Sequence, residues 1–199
     1  SGDQVFCAGA DLKAAAGRQG PADGSYRELL LELRRCRKPT VALARGHVLA
    51  GGMGLVLACD LAVACDDVHF STPEIGVGMF PMMVFGLLSR SVSRRRAFEM
   101  AFLGEKVPAP QACQDGIVNH VYPRAAFDAR SRELVAKLAA KSGAILTIGK
   151  EAILECEDLP LDESLALLER ALERVMRSQD SREGIAAFIE KRKPEWSHR

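Results

Sequence analysis

No charge of one sign dominates this sequence: 27 Lys and Arg stand against 26 Asp and Glu, a net charge of +1 over 199 residues. A chain that holds nucleic acid or an anionic membrane through its general field needs an excess that is missing here. Hydrophobic residues make up 48% of the chain, yet no apolar run reaches the roughly 20 residues needed to cross a bilayer. Six cysteines (Cys7, Cys36, Cys59, Cys65, Cys113, Cys156) are scattered without a CxxC pair or a nearby HxxxH. That spacing argues against zinc or a disulfide framework and for small buried thiols in a reducing compartment. Ser1 to Phe6 has no basic n-region or apolar signal core, and no internal repeat is visible. What these absences leave is one globular domain with a substantial core.

The rest of the chain is organised around Arg45 to Asp60. Pro39 to Ala44 before it is short and apolar, a strand rather than an amphipathic helix. Met53 to Cys59 after the glycines is small and apolar throughout, the pattern of a helix buried on every side. The Gly51-Gly52 pair between them lets backbone amides approach a ligand, with the positive end of the helix dipole behind. Such a turn holds an anion or a developing oxyanion, or is simply a tight turn chosen for packing.

Gln4 to Ala8 is the end of a strand, running into the small-residue loop Gly9-Ala10-Asp11-Leu12. Ala14 to Gly24, with Gly17, Gly20, Pro21 and Gly24, is a surface segment. Ser25 with Glu28 three residues on opens a helix to about Arg37, with Leu29, Leu30 and Leu33 on one face. Strands are expected at Leu61 to Cys65 and Val68 to Ser71, then a loop over Thr72 to Gly78, punctuated by Pro73, Gly76 and Gly78. Met79 to Phe85 is bulky and apolar, either core or the wall of an acyl site. Helices at Ser93 to Leu103, closed by Gly104, and at Val107 to Asp115 precede a strand at Ile117 to Tyr122. From about Ala125 to Lys193 the chain is helical, with leucines at helical spacing and alternating charges.

Taken in order, Phe6-Cys7-Ala8-Gly9-Ala10-Asp11-Leu12-Lys13, Lys38-Pro39-Thr40-Val41-Ala42, Ala50-Gly51-Gly52, Ala58-Cys59-Asp60 and Thr72-Pro73-Glu74-Ile75-Gly76-Val77-Gly78 form a set. Gly116-Ile117-Val118-Asn119 and Phe188-Ile189-Glu190-Lys191-Arg192-Lys193 complete it. In that order and spacing the chain resembles the crotonase superfamily, the enoyl-CoA hydratase/isomerase family. The resemblance implies an α/β fold, a crotonase-like ββα spiral core with a helical C-terminal region. Residues 1–123 would be a partial core lacking its first strands, and 124–199 the helical region used for oligomerisation and active-site closure. It implies an acyl-CoA thioester substrate, no cofactor beyond the coenzyme A of the substrate itself, a homotrimer or hexamer, no nucleic-acid or membrane partner, and a cytoplasmic or mitochondrial-matrix setting.

The resemblance also assigns roles. The backbone amides of Ala10 and Gly51 become the two donors to a thioester oxyanion. Ala8, Asp11, Gly52, Met79, Phe80 and Met83 become substrate-binding positions, and Lys13 and Lys191 meet the coenzyme A phosphates, Lys191 from a neighbouring subunit. Hydratases of the family use two glutamates, at the positions of Gly54 and Glu74, and only Glu74 is a carboxylate here. One carboxylate suffices to take a proton from C2 and return it at C4. The pattern therefore resembles the family's Δ3,Δ2-enoyl-CoA isomerases, with hydration by one glutamate or a catalytically weakened acyl-CoA-binding homologue as alternatives. No carboxylate lies in Met79 to Phe85, where dienoyl-CoA isomerases carry an aspartate. Packed against Met79, Phe80 and Met83, Glu74 would have its pKa raised by desolvation. Asp11, Asp60 and Asp115 are expected to brace turns, His47 to be a satisfied core residue, and Arg90, Arg94, Arg95 and Arg96 to form a solvated helix face.

Overall fold

Short runs of Val, Ala and Leu that are apolar on both faces pair as parallel strands, because only a sheet covered on both sides tolerates them. The computed structural model describes residues 2–11 and 25–198. In chain order these form β1 (Val5–Cys7), α1 (Ser25–Arg35), β2 (Val41–Ala44), β3 (His47–Leu49), α2 (Gly51–Ala58), β4 (Leu61–Cys65) and β5 (His69–Ser71). A 3-10 turn (Pro73–Val77) follows, then α3 (Met82–Ser91), α4 (Arg94–Leu103), β6 (Val107–Pro108), α5 (Ala109–Gln114) and β7 (His120–Tyr122). The chain continues through a short 3-10 turn (Arg124–Ala126), α6 (Phe127–Ala139), α7 (Gly143–Cys156), α8 (Leu161–Arg177) and α9 (Gln179–Glu190). No helix among the described residues is long and apolar enough to cross a membrane.

Two compact units divide the chain: Ser1–Arg34 with Thr40–Arg132, and Arg35–Pro39 with Glu133–Arg199. The first holds both sheets. One runs β1-β3-β5-β6, parallel except for β6, whose Pro108 suits an edge that needs no donor. The other runs β2-β4-β7, parallel throughout, with Val41 to Ala44 in register with Leu61 to Ala64. Met53, Val56, Leu57 and Ala58 of α2 are buried among Val48, Val63, Val68, Phe70 and Leu88, the core of this unit.

Several expectations change. The glycine pair is not a turn ahead of the helix but its first turn, and the bend falls on Ala50, a non-glycine residue at φ 51°. His47–Leu49 is a strand, too short to carry an alternation pattern of its own. Thr72 to Gly78 is not an open loop: Pro73 at the first helical position starts a 3-10 turn that Gly78 closes at φ 77°. Met82–Ser91 is a helix that no sequence signal announced, because Pro81 stands at its N-cap and no side chain caps it. Val107–Pro108 is an edge strand rather than helix, and the strand expected over Ile117 to Tyr122 narrows to His120–Tyr122. On α1 only Leu30 of the expected leucine face is buried, while Leu29 is exposed. The six cysteines form no disulfide among the described residues, but only Cys65 is buried and the other five are partly exposed.

The second unit is built from helices with small residues inside: Ala152, Ala171 and Ala187 are buried. Its largest fully enclosed polar group is Asp180. That carboxylate accepts hydrogen bonds from Ser142 Oγ at 2.5 Å, from the amide and hydroxyl of Ser197 at 2.7 Å each, and from the His198 amide at 3.1 Å. The C-terminal tail is thereby held to its own unit, with Trp196 Nε1 donating to the Ala140 carbonyl at 2.8 Å.

Candidate active site

Three neighbouring parallel strands deliver the site. Ala8-Gly9-Ala10 leaves the carboxyl end of β1, Ala50-Gly51 that of β3, and Thr72-Pro73-Glu74 that of β5. Open parallel sheets place ligands at this end of their strands. A bulge in β1, where Val5 and Cys7 oppose the consecutive His47 and Val48, re-aims the chain just before the Gly9 loop.

The first two segments touch. A β-carbon on Gly9, which sits at φ 86°, would come within 2.8 Å of Ala50 Cβ and 3.0 Å of the Gly51 amide nitrogen. One on Gly52 would lie 2.5 Å from the Cys7 carbonyl oxygen. Gly52 is thus buried by close packing onto β1. Gly51 and Gly52 amides lie in the first turn of α2, where no intrahelical acceptor exists for them. The Ala50 amide donates to the Ser71 carbonyl at 2.9 Å, tying this corner to the end of β5.

The third segment is stapled from behind. Thr72, fully buried, donates through its hydroxyl to the Met100 carbonyl at 2.9 Å, and Ser71 Oγ donates to the Gly104 carbonyl at 2.8 Å. Gly104 itself, at φ 63°, lies so close that an added β-carbon would be 3.1 Å from Ile75 Cγ2 and 3.2 Å from the Thr72 carbonyl oxygen. The turn's own bond from the Met79 amide to the Glu74 carbonyl, 3.0 Å, closes it. Glu74 is half-buried, and its Oε2 is enclosed with no hydrogen-bond partner. Burial raises its pKa, opposed only by a bond to its own backbone. A partly buried carboxyl with spare acceptor capacity and a raised pKa has the chemistry to exchange a proton with a bound molecule.

Other sequence-picked residues are placed as follows. Ala8, Ala10 and Asp11 are exposed at the loop after β1, and Lys13 lies outside the described residues. Phe80 packs with Phe85 and Phe102 at centroid distances of 5.9 and 6.1 Å, whereas Met79 and Met83 are exposed. Lys191 lies in the second unit, closing α9 in a left-handed conformation at φ 55°. Asp60 accepts from the Thr40 amide at 2.7 Å, and Asp115 from Arg96 Nε at 2.8 Å and Gln111 Nε2 at 2.9 Å. His47 Nδ1 accepts from the His69 amide at 3.1 Å. Arg96 is therefore no solvated charge: it is partly buried between Asp115 and Glu99. A cleft lined by Asp3, Gln4, Val5, His47, Asp67 and Arg124 opens at the other end of the same strands; Arg124 pairs with Asp67 at 2.7 Å, and Asp3 pairs with Arg45 at 2.9 Å.

One residue escaped the sequence reading. Tyr26, in the first turn of α1, donates its hydroxyl to the Gly51 carbonyl at 2.5 Å. Its oxygen stands 2.2 Å from where a β-carbon on Gly54 would be. Burial first, then the negative charges of Cys7 and Glu74, push its pKa up to about 12. Only the Ser25–Glu28 capping pattern drew attention to this helix start, and a cap says nothing about what the next side chain reaches.

The Gly9–Gly51 corner and the half-buried Glu74 carboxyl thus leave the carboxyl ends of three neighbouring parallel strands of one sheet, the place where sheets of this kind receive a ligand. The sequence matches the family model described as enoyl-CoA hydratase/isomerase over residues 1–199, and the chain belongs to that family. The mitochondrial enoyl-CoA hydratase domain-containing protein 3 of Rattus norvegicus is 35% identical over 201 residues, 98% of this chain and 66% of the relative. The chain thus spans just under two thirds of that relative's length. The crystal structure of its human counterpart superposes with a TM-score of 0.93 at 32% identity, covering 98% of this chain and 79% of that one. An enoyl-CoA hydratase from Mycobacterium smegmatis superposes at 0.89 with 36% identity, covering 97% and 77%. The fold is the crotonase fold, with its helical C-terminal region.

Proposed function

We propose that the protein binds an acyl-CoA thioester, stabilises the enolate of that thioester, and moves its double bond from the 3,4 to the 2,3 position. The observation that carries this is Glu74 Oε2, enclosed and unpartnered on a carboxyl that burial makes more basic. The Glu74 carboxylate takes a proton from C2 of a 3-enoyl-CoA, and the electron pair runs onto the thioester oxygen. The amides of Ala10 and Gly51 hold that charge, each such donor being worth about 3 kcal/mol of barrier. The electron pair then returns, Glu74 gives its proton to C4, and the 2-enoyl-CoA leaves with nothing gained or lost. Phe80, Met79 and Met83 line the acyl side, and Lys13, with Lys191 of a neighbouring subunit, serves the coenzyme A phosphates.

The names of the relatives favour a second reading, hydration of a 2-enoyl-CoA. Gly54 weighs against it, since it supplies no second carboxylate to orient the water. Purified full-length protein assayed with both substrates separates the two. Glu74→Gln is expected to keep acyl-CoA affinity while lowering isomerase turnover by at least about 100-fold. The acid limb of the parent's kcat/KM should lie above the ordinary glutamate value of about 4.3, because the base must be deprotonated and burial raises its pKa. A Glu74→Gln variant that still isomerises at the parental rate overturns the assignment.

A further inference from the structure

Gly51 has no side chain, so nothing intrinsic restricts its backbone at the point where a thioester oxygen would be received. Its carbonyl is held from outside the helix by Tyr26, whose hydroxyl donates to it at 2.5 Å. The phenol also lies against Gly51 itself: an added β-carbon there would be 3.4 Å from both Cζ and Oη, and 3.4 Å from Gly9 Cα. Gly51 is thus in close contact with both Gly9 and Tyr26. Burial, the largest cause of its raised pKa, keeps the Tyr26 proton on its oxygen at any ordinary pH, so it remains a donor.

We propose that Tyr26 is a positioning residue of the site, fixing the Gly51 backbone through its carbonyl so that the preceding amide is aimed at the thioester oxygen. This rests on the enolate-stabilising reading above. The Gly51 carbonyl already has the helix's own bond available from four residues on, so the phenol adds a second, external restraint on this peptide beyond what the helix supplies. Preorientation matters here because a donor that must reorganise during the reaction gives back much of its stabilisation.

The test uses the full-length protein and a conjugated 2,4-dienoyl-CoA, whose absorbance moves to the red when its carbonyl oxygen is polarised by bound donors. Tyr26→Phe keeps the ring and removes the donor. It should bind the thioester within about threefold of the parent, lose at least half of the red shift, and isomerise at least about 10-fold more slowly at little-changed KM. A fluorinated tyrosine at position 26, of nearly the same shape and a stronger donor, should keep or deepen the red shift, and its loss there would count against the proposal even if Tyr26→Phe failed to fold. A full red shift in folded Tyr26→Phe overturns the role of Tyr26 while leaving the enolate reading intact. A parent that shows neither red shift nor turnover overturns both.

Discussion

At position 54 a tyrosine oxygen stands where a side chain would begin. The resemblance to hydratases suggests that restoring a glutamate there would add hydration, and the sequence sets against it only the cost of a charge in the small, apolar run Met53 to Cys59. The structure adds a steric cost: the new β-carbon would meet Tyr26 Oη at 2.2 Å, and Tyr26 Cζ and Leu30 Cδ2 at 3.3 Å. Gly54→Glu alone must expel the phenol, costing about 1–3 kcal/mol for overpacking, with the burial of a second charge added. It is expected to melt lower, isomerise poorly and gain no hydratase activity. Tyr26→Ala combined with Gly54→Glu frees the room, and its hydration of a 2-enoyl-CoA should exceed that of Tyr26→Ala alone. A stable, hydrating Gly54→Glu single variant would contradict this. Glu74 and Gly54 were legible in the sequence because each sits inside a motif of fixed spacing. Tyr26 was not, because its contact joins residues 25 positions apart and exists only once α1 lies against the start of α2.

Among the elements, strands β2 and β4 and helices α2 and α4 were legible from apolar runs and caps. Ser93 caps α4 by accepting from the Arg96 amide at 3.4 Å, and Gly104 ends it at φ 63°. The missed elements, β3, β6 and α3, are those whose formation depends on a neighbour: two strands of two or three residues, and a helix without a capping side chain. The C-terminal tail, residues 191–198, is likewise defined by one distant group. Burial opposes the charge of Asp180, but the hydrogen bonds from Ser142, Ser197 and His198 outweigh it and hold the carboxyl at about 2. A folded pKa below the ordinary value of about 3.9 means that the stabilisation is complete above that value and fades as pH falls toward 2. Acidification through that window should release the tail, and the emission of Trp196, the only tryptophan in the chain, should move to the red. Asp180→Ala should do the same at neutral pH, with a loss of about 1–3 kcal/mol from the donors left unpaired. Unchanged Trp196 emission in that variant would show that the tail is held by other contacts.

For the molecule as a whole, leucines at helical spacing foretold the helices of the second unit but not which way they face. Ala152, Ala171 and Ala187 are inside, while Leu161, Leu165, Leu172, Met176 and Ile185 are exposed, Ile189 is 72% exposed and Phe188 85%. Exposed apolar side chains repeated along a helix are suited to burial against another chain. The proposed trimer or hexamer would supply that cover, and light scattering on the complete protein should give three or six times the chain mass. A monomer persisting at micromolar concentration would exclude it. The alanine-lined interior has a further consequence for how the protein withstands heat. With so little large apolar volume enclosed by a single chain in this unit, the proposed association would supply part of its resistance to melting, and association obeys mass action. The melting temperature should therefore climb as the protein is concentrated and fall on dilution, in a calorimeter scan that for a self-sufficient monomer would trace the same curve at every concentration.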